Sequence, residues 1–240
     1  MAVDLRVVTT RLPAAVLWDM DGTLVDTERY WMAAEEELVE SFGGRWTSED
    51  ALGVVGAGLW DAARVFQAAG VDLDADTIVE GLTARVQEQL AEHGVPWRPG
   101  ARELLEALRE ASIPTALVTM SVRSMADDIV AAIPFEAFDA IVTGDSVENP
   151  KPHPEPYLAA AEALGVDIRA CVAIEDSPAG LTSAWAAGAV AVGVPNILGL
   201  DEAPSHVLWS TLADKSVADV AAALEARDAR GTRDAPGVIA

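Results

Sequence analysis

AAVLWDMDGTLVD, residues 14–26, is the stretch around which the remaining sequence can be ordered. Ala15-Val16-Leu17-Trp18 is a short apolar run that reads as a buried strand, and it ends abruptly on Asp19 and Asp21, followed by Gly22 and Thr23. A carboxylate at the tip of a central parallel strand stands at the carboxyl edge of the sheet, where open α/β folds gather ligands. Gly22 can leave the strand in a conformation closed to residues with a Cβ, which lets Asp21 turn back toward the volume that Asp19 faces. Two like charges held that close are unfavourable unless a cation neutralises them or one is protonated. The pair therefore predicts a hard divalent metal, an acid–base role, or both.

The chain has 240 residues, enough for one α/β domain with an insertion, and 51% of them are apolar, enough for a core. A formal charge of −23 and a pI near 4.2 exclude nucleic acid and anionic membrane as expected partners, because both require a basic face. Any phosphorylated ligand must then be held by local features, such as a metal, one lysine or backbone N–H groups, against the global field. The lone Cys171 cannot form an internal disulfide and suits buried packing in a reducing cytoplasm. Residues 1–13 read as a loose lead-in without a leader pattern, residues 226–240 as a loose end, and no apolar run approaches membrane-spanning length. A cytoplasmic monomer is expected.

Beyond Asp26 the pattern is helical, with segments expected at 28–42, 48–55, 59–69 and 75–91 and no strand between them. In the first of these, Trp31, Ala34, Leu38 and Phe42 mark the apolar face, with acids between them. From residue 101 helices alternate with short apolar runs: helices at 101–111, 124–132, 155–164 and 179–187, and strands at 115–119, 140–143, 171–174 and 189–194. An edge strand at 206–209 and a closing helix at 217–226 complete the chain. Such alternation means parallel strands with right-handed crossovers, a doubly wound α/β sheet of Rossmann-like type. Its core comprises residues 1–27 and 99–240, and residues 28–98 form an inserted helical cap whose exit, Val95-Pro96-Trp97-Arg98-Pro99-Gly100, reads as a stiff hinge.

Three more strand ends carry residues suited to the Asp19 site. Thr119-Met120-Ser121 offers hydroxyls and consecutive N–H groups to an anionic oxygen, with Ser121 a substrate contact. Lys151 lies in Asn149-Pro150-Lys151-Pro152-His153-Pro154, where three prolines stiffen the segment that aims its ammonium. Glu175-Asp176 ends the run Cys171-Val172-Ala173-Ile174 in a second acidic pair.

Strand, acid pair, hydroxyl, lysine and acid pair, in that order with helices between, resemble the haloacid dehalogenase-like hydrolase superfamily over roughly residues 14–195. Asp19-Met20-Asp21-Gly22-Thr23 looks like its first motif, Thr119 its second, Lys151 its third and Glu175-Asp176 its fourth; Met120 departs from the asparagine often found there. The helical insertion is similar to the cap of the subgroup that contains phosphoglycolate phosphatases and β-phosphoglucomutases. The resemblance implies a phosphatase that hydrolyses a small phosphorylated metabolite through an aspartyl-phosphate on Asp19, with Asp21 as general acid and base. It further implies Mg²⁺ held by Asp19, the Asp21 backbone carbonyl, Asp176 and Glu175, and a phosphoryl group held by Lys151 and Thr119.

Two alternatives stand beside it. A phosphoryl-accepting signalling domain also uses acids, Thr, Lys and Mg²⁺ but needs neither Asp21 as acid nor a large cap. A β-phosphoglucomutase is nearer, yet the resemblance places a histidine on its first cap helix where this chain has Trp31, and an arginine in the early cap loop, where Val54-Val55-Gly56-Ala57-Gly58-Leu59-Trp60 has none. Among the cap tryptophans, Trp60 is the expected substrate contact, carried over Asp19 by closure of that loop, and Arg64 is a candidate anion contact.

Overall fold

A computed structural model describes residues 11–231, so the lead-in expected at 1–13 and the loose end expected at 226–240 lie largely outside the described residues. The strands are β1 (Ala15–Trp18), β2 (Thr115–Val118), β3 (Ala140–Val142), β4 (Cys171–Glu175), β5 (Val190–Gly193) and β6 (Val207–Leu208). All run parallel in one sheet of order β3-β2-β1-β4-β5-β6. The chain thus leaves β1 for β2 and β3 on one side and returns to β4 on the other. The crevice at which strand order reverses opens beyond the carboxyl ends of β1, β2 and β4.

Residues of β1 alternate between two hydrophobic clusters, as the two-residue period of a strand requires. Val16 and Trp18 pack with α5 (Ala101–Glu110), α6 (Arg123–Ala131) and α9 (Val217–Gly231), whereas Ala15 and Leu17 pack with α7 (Glu155–Leu164) and α8 (Pro178–Ala187). Every β1 side chain is fully buried, worth roughly 1.5–3 kcal/mol for each large one, so the strand that ends in Asp19 is a rigid mount.

Four helices lie between β1 and α5: α1 (Glu28–Ser41), α2 (Ser48–Leu52), α3 (Leu59–Ala68) and α4 (Ala75–His93). The second is shorter than its apolar pattern promises, because a Thr47–Asp50 capping box starts it and Gly53 ends it. The inserted helical unit is tied to the sheet by two chain segments that pair with each other. Asp26 N–H donates to the Pro96 carbonyl at 2.7 Å and Arg98 N–H to that of Leu24 at 3.1 Å, around an antiparallel bridge between Val25 and Trp97. The Arg98 guanidinium then reaches the Pro195 carbonyl and Asn196, and Asn196 donates to Asp26, so the hinge is anchored to the segment after β5. No helix among the described residues is long and apolar enough to cross a membrane.

Gly22 is where the first motif turns. Its φ is +86°, and a Cβ there would stand 2.0 Å from a carboxylate oxygen of Asp176. The absent side chain is what lets the β1 turn and the end of β4 close on each other. Gly22→Ala is expected to cost at least ~1 kcal/mol from the left-handed backbone alone, and more from the displaced carboxylate. Urea denaturation checks this; an unchanged midpoint would show that the close approach is not needed.

Candidate active site

Asp19 leaves the end of β1 with its carboxylate facing Lys151, whose Nζ donates to Asp19 Oδ1 at 2.7 Å, to Glu175 Oε1 at 2.6 Å and to the Val118 carbonyl at 2.8 Å. All three donors of the ammonium are therefore spent, on the ends of β1, β4 and β2. Glu175 Oε1 also accepts from the Tyr157 hydroxyl at 2.7 Å, and its Oε2 accepts from the Ser177 hydroxyl at 3.2 Å. A Cβ at Gly180, in the first turn of α8, would stand 1.9 Å from Glu175 Oε1, so that glycine makes room for the carboxylate. Asp176 accepts from the Thr23 hydroxyl at 3.2 Å.

Burial and the charge of Glu175 push the Asp19 carboxyl up to about 7 although Lys151 pulls it down. Burial, Asp19 and Glu175 push Asp176 up as well. Burial disfavours the charged form of Lys151, but Asp19 and Glu175 outweigh it and leave the ammonium more basic than an ordinary lysine. Asp19, Glu175 and Asp176 each present an oxygen within 4.8 Å of the others. Three buried carboxyls against one lysine leave uncompensated negative charge, and an all-oxygen donor set of this kind fits a hard divalent cation such as Mg²⁺. The carboxylate of Asp21 lies outside that cluster.

Asp21 is instead held by four donors. Its Oδ1 accepts from the Thr27 hydroxyl at 2.6 Å and the Trp31 indole N–H at 3.0 Å; its Oδ2 accepts from the hydroxyls of Ser121 at 2.7 Å and Thr119 at 3.3 Å. Thr119 and Ser121, read from sequence as phosphoryl or substrate contacts, thus converge on the second acid. Thr27 and Trp31 are not among the expected site residues, although Trp31 stands at the first-cap-helix position where the resemblance places the histidine of a β-phosphoglucomutase.

Asp19, Asp21, Thr119, Ser121, Lys151 and Asp176 open on one cavity, closed on the cap side by Val54–Ala57, Leu59, Phe66, Leu82 and two acids of α1, Glu28 and Glu35. The early cap loop does reach the core: a Cβ at Gly56 would stand 2.8 Å from the Ser177 Cβ, and one at Gly58 3.0 Å from Pro150. Trp60 does not come with it. Its indole N–H donates to Asp76 at 2.7 Å, between α3 and α4, and Arg64 is an exposed partner of Asp61. Both line a neighbouring recess bounded by Met120, Gly144 and Asp145, not the cavity of Asp19. At the start of α3 the loop presents its backbone and Leu59 to the cavity, so the next residue, 100° around the helix, faces away.

The sequence profile of the Haloacid dehalogenase-like hydrolase family matches residues 16–194, the span that carries every strand end described above except the β6 edge. The chain belongs to that family. Hexitol phosphatase B of Escherichia coli (strain K12) is 32% identical over 195 residues, covering 78% of this chain and 86% of that protein. A phosphorylated carbohydrates phosphatase of Thermotoga maritima is 33% identical over 178 residues, 72% of this chain and 81% of that protein. The crystal structure of a CbbY variant from Rhodobacter sphaeroides in complex with xylulose-(1,5)bisphosphate superposes with a TM-score of 0.78 at 26% identity, covering 87% of this chain and 99% of that one. As a haloacid dehalogenase-like hydrolase the protein therefore has the doubly wound core and helical cap of its relatives.

Helix α1 of this hydrolase departs from its simple apolar reading. Phe42 is exposed, whereas Glu28 and Glu35 share the buried face with Trp31. Burial and the charge of Asp21 push the Glu28 carboxyl up to about 8, and burial pushes that of Glu35 from 4.5 to about 7 despite the Trp46 indole N–H. Between 4.5 and about 7 the unfolded chain releases the Glu35 proton while the folded protein keeps it, so rising pH favours unfolding. Stability from this group is complete below that window and lost above it. Glu35→Gln is expected to remove on the order of 2 kcal/mol of this pH dependence. Denaturant titrations at pH 5 and pH 8 test it: the variant should decline less than the wild type between them, and equal declines would contradict the burial cost.

Proposed function

We propose that this protein is a Mg²⁺-dependent phosphatase that hydrolyses a small phosphorylated metabolite through a phosphorylated Asp19, with residues 28–98 as its cap and 1–27 plus 99–240 as its core. The enzyme is a hydrolase of phosphate monoesters. The observation that carries this reading is the pairing of a buried carboxylate locked on Lys151 with a second carboxylate two residues on, held on four donors in the same cavity. Relatives named as hexitol and phosphorylated-carbohydrate phosphatases support it.

An Asp19 oxygen attacks phosphorus, the bond to the ester oxygen breaks, and Asp21 gives that oxygen a proton. In the second half Asp21 takes a proton from water as the water oxygen attacks phosphorus, and the Asp19 carboxylate is released. Lys151 orients Asp19 and neutralises charge that gathers on the transferring phosphoryl group. Thr119, Ser121, Thr27 and Trp31 keep Asp21 in one orientation. A bound Mg²⁺, held by Asp19, Asp176, Glu175 directly or through water, and the Asp21 backbone carbonyl, would supply charge neutralisation for the crowded acids and phosphoryl oxygens. Gly56 against Ser177 and Gly58 against Pro150 shut the cavity on the cap side, and the paired segments at Leu24–Asp26 and Pro96–Arg98 are the hinge on which the cap opens for exchange.

Asp19→Asn is expected to abolish phosphomonoester hydrolysis with little loss of stability, being isosteric; retained turnover, with deamidation excluded by mass, would overturn the nucleophile. Asp21→Asn should instead accumulate a phosphoenzyme from a phosphate ester with a good leaving group, read as an added phosphoryl mass on Asp19.

Activity should also require Mg²⁺ and be inhibited by Ca²⁺. The larger ion accepts more oxygens and would engage both oxygens of Asp19, including the one that must attack. Steady-state rates with each ion decide the point, and equal rates would contradict a nucleophile that is also a ligand.

A further inference from the structure

The catalytic scheme uses the core wall of the cavity and, from the cap wall, only Trp31, leaving the rest of that wall without a task. The polar part of that wall is Glu28 and Glu35, seven residues apart on one face of α1. They are 6% and 7% exposed. Among the described residues nothing donates a hydrogen bond to the Glu28 carboxyl, and only the Trp46 indole, at 3.2 Å from Oε2, donates to that of Glu35. Neither carboxyl has an oxygen that is both sealed off and unpartnered, so these acceptors face the cavity and are open to a donor brought by a ligand. The lining residues include one cation, Lys151, and its three donors are spent on Asp19, Glu175 and Val118. The remaining cap wall is apolar or backbone.

That combination selects by chemistry. A hydroxyl brings the donor that a carboxyl oxygen lacks, in either protonation state of the acid. A second phosphate or a carboxylate on the leaving group would bring a second anion into a cavity that five acids line and whose one lining cation, Lys151, is already paired. The two glutamates are also spaced along the ligand. Glu28 feels the charges of Asp21 and Asp19 as well as that of Glu35, so it lies nearer the reacting centre. Glu35 lies about 10 Å farther along the helix axis, two turns on. An extended chain of hydroxylated carbons matches that separation.

We propose that Glu28 and Glu35 read the leaving group of this hydrolase, accepting hydroxyl hydrogens from a neutral polyol or sugar monophosphate and rejecting esters that carry a second anion. Glu28 serves hydroxyls near the ester oxygen and Glu35 those at the far end. The inference rests on the phosphatase reading above and deepens it to a substrate class.

The test uses the full-length enzyme with Mg²⁺ and four esters: sorbitol 6-phosphate, 2-phosphoglycolate, fructose 1,6-bisphosphate and p-nitrophenyl phosphate. Wild-type kcat/KM for sorbitol 6-phosphate should exceed that for either doubly anionic ester by about ten- to a hundredfold, the worth of a charge-assisted hydrogen bond. Glu35→Leu should lose about tenfold or more on sorbitol 6-phosphate, chiefly through KM, and several times less on p-nitrophenyl phosphate, which has no hydroxyl chain for Glu35 to hold. Equal loss on both would overturn the reading role. Measured at pH 8, above the value of about 7 to which burial pushes Glu35, Glu35→Gln keeps the size of the side chain and removes its charge, so the test survives a leucine variant that fails to fold. Its discrimination against 2-phosphoglycolate and the bisphosphate should narrow severalfold, and an unchanged ratio would overturn the charge argument. A wild type that prefers a doubly anionic ester overturns this inference and leaves the phosphatase standing, whereas no turnover of any ester overturns the phosphatase and the inference with it.

Discussion

One buried ammonium holds the centre of this molecule together. Lys151 is 3% exposed, and its three donors join the ends of β1, β2 and β4 through Asp19, the Val118 carbonyl and Glu175. Burying a lysine is costly unless its charge is matched and every donor is used, and here both conditions are met. Removing both carboxylates would leave the buried ammonium without a counter-charge. The arrangement explains why Glu175 needs the Tyr157 hydroxyl and the vacancy of Gly180: the carboxylate must present one oxygen to the ammonium at a fixed angle. It also explains why β1 is apolar on both faces up to Trp18, since a strand that aimed Asp19 loosely could not hold a short ion pair.

The second acid obeys a different constraint. Among the described residues no cation sits on the Asp21 carboxylate; it has donors from both halves of the protein, with Thr119 and Ser121 from the sheet side and Thr27 and Trp31 from the start of the inserted helices. A side chain tied to both sides of a hinge is sensitive to the position of the helices. When they sit as they do here, all four donors are in reach. Movement about the paired segments at 24–26 and 96–98 would strain the Trp31 contact first, because Thr27 belongs to the hinge itself while Trp31 is carried on α1. The geometry of the acid is therefore coupled to closure through a single indole N–H.

Acids also shape the cap wall, at a cost. Glu28 and Glu35 are held where their charged forms are disfavoured, which lowers stability at neutral pH and above. A protein that needed α1 only for packing would gain from apolar residues at both positions.

Much of this was legible in the chain. The doubly wound sheet follows from short apolar runs alternating with helix-length segments, because both periods are local and parallel crossovers leave few ways to connect them. The residues at the strand ends were legible for the same reason: Asp19, Thr119 and Glu175-Asp176 are placed by where each strand stops, and a sheet edge collects them whatever the details of packing, while Lys151 comes from the proline-rich segment between β3 and α7. What sequence could not supply is the rotation of helices about their own axes. That Trp31 turns its indole to Asp21, that Glu28 and Glu35 face a cavity while Phe42 faces solvent, and that Trp60 turns to Asp76 instead of Asp19 all depend on how α1 and α3 dock on α4 and on the core. A rotation of one residue, 100°, exchanges buried and exposed positions without changing any local preference. Tertiary packing alone decides it, since the apolar area buried across the hinge sets the rotation and the polar groups on that face must follow.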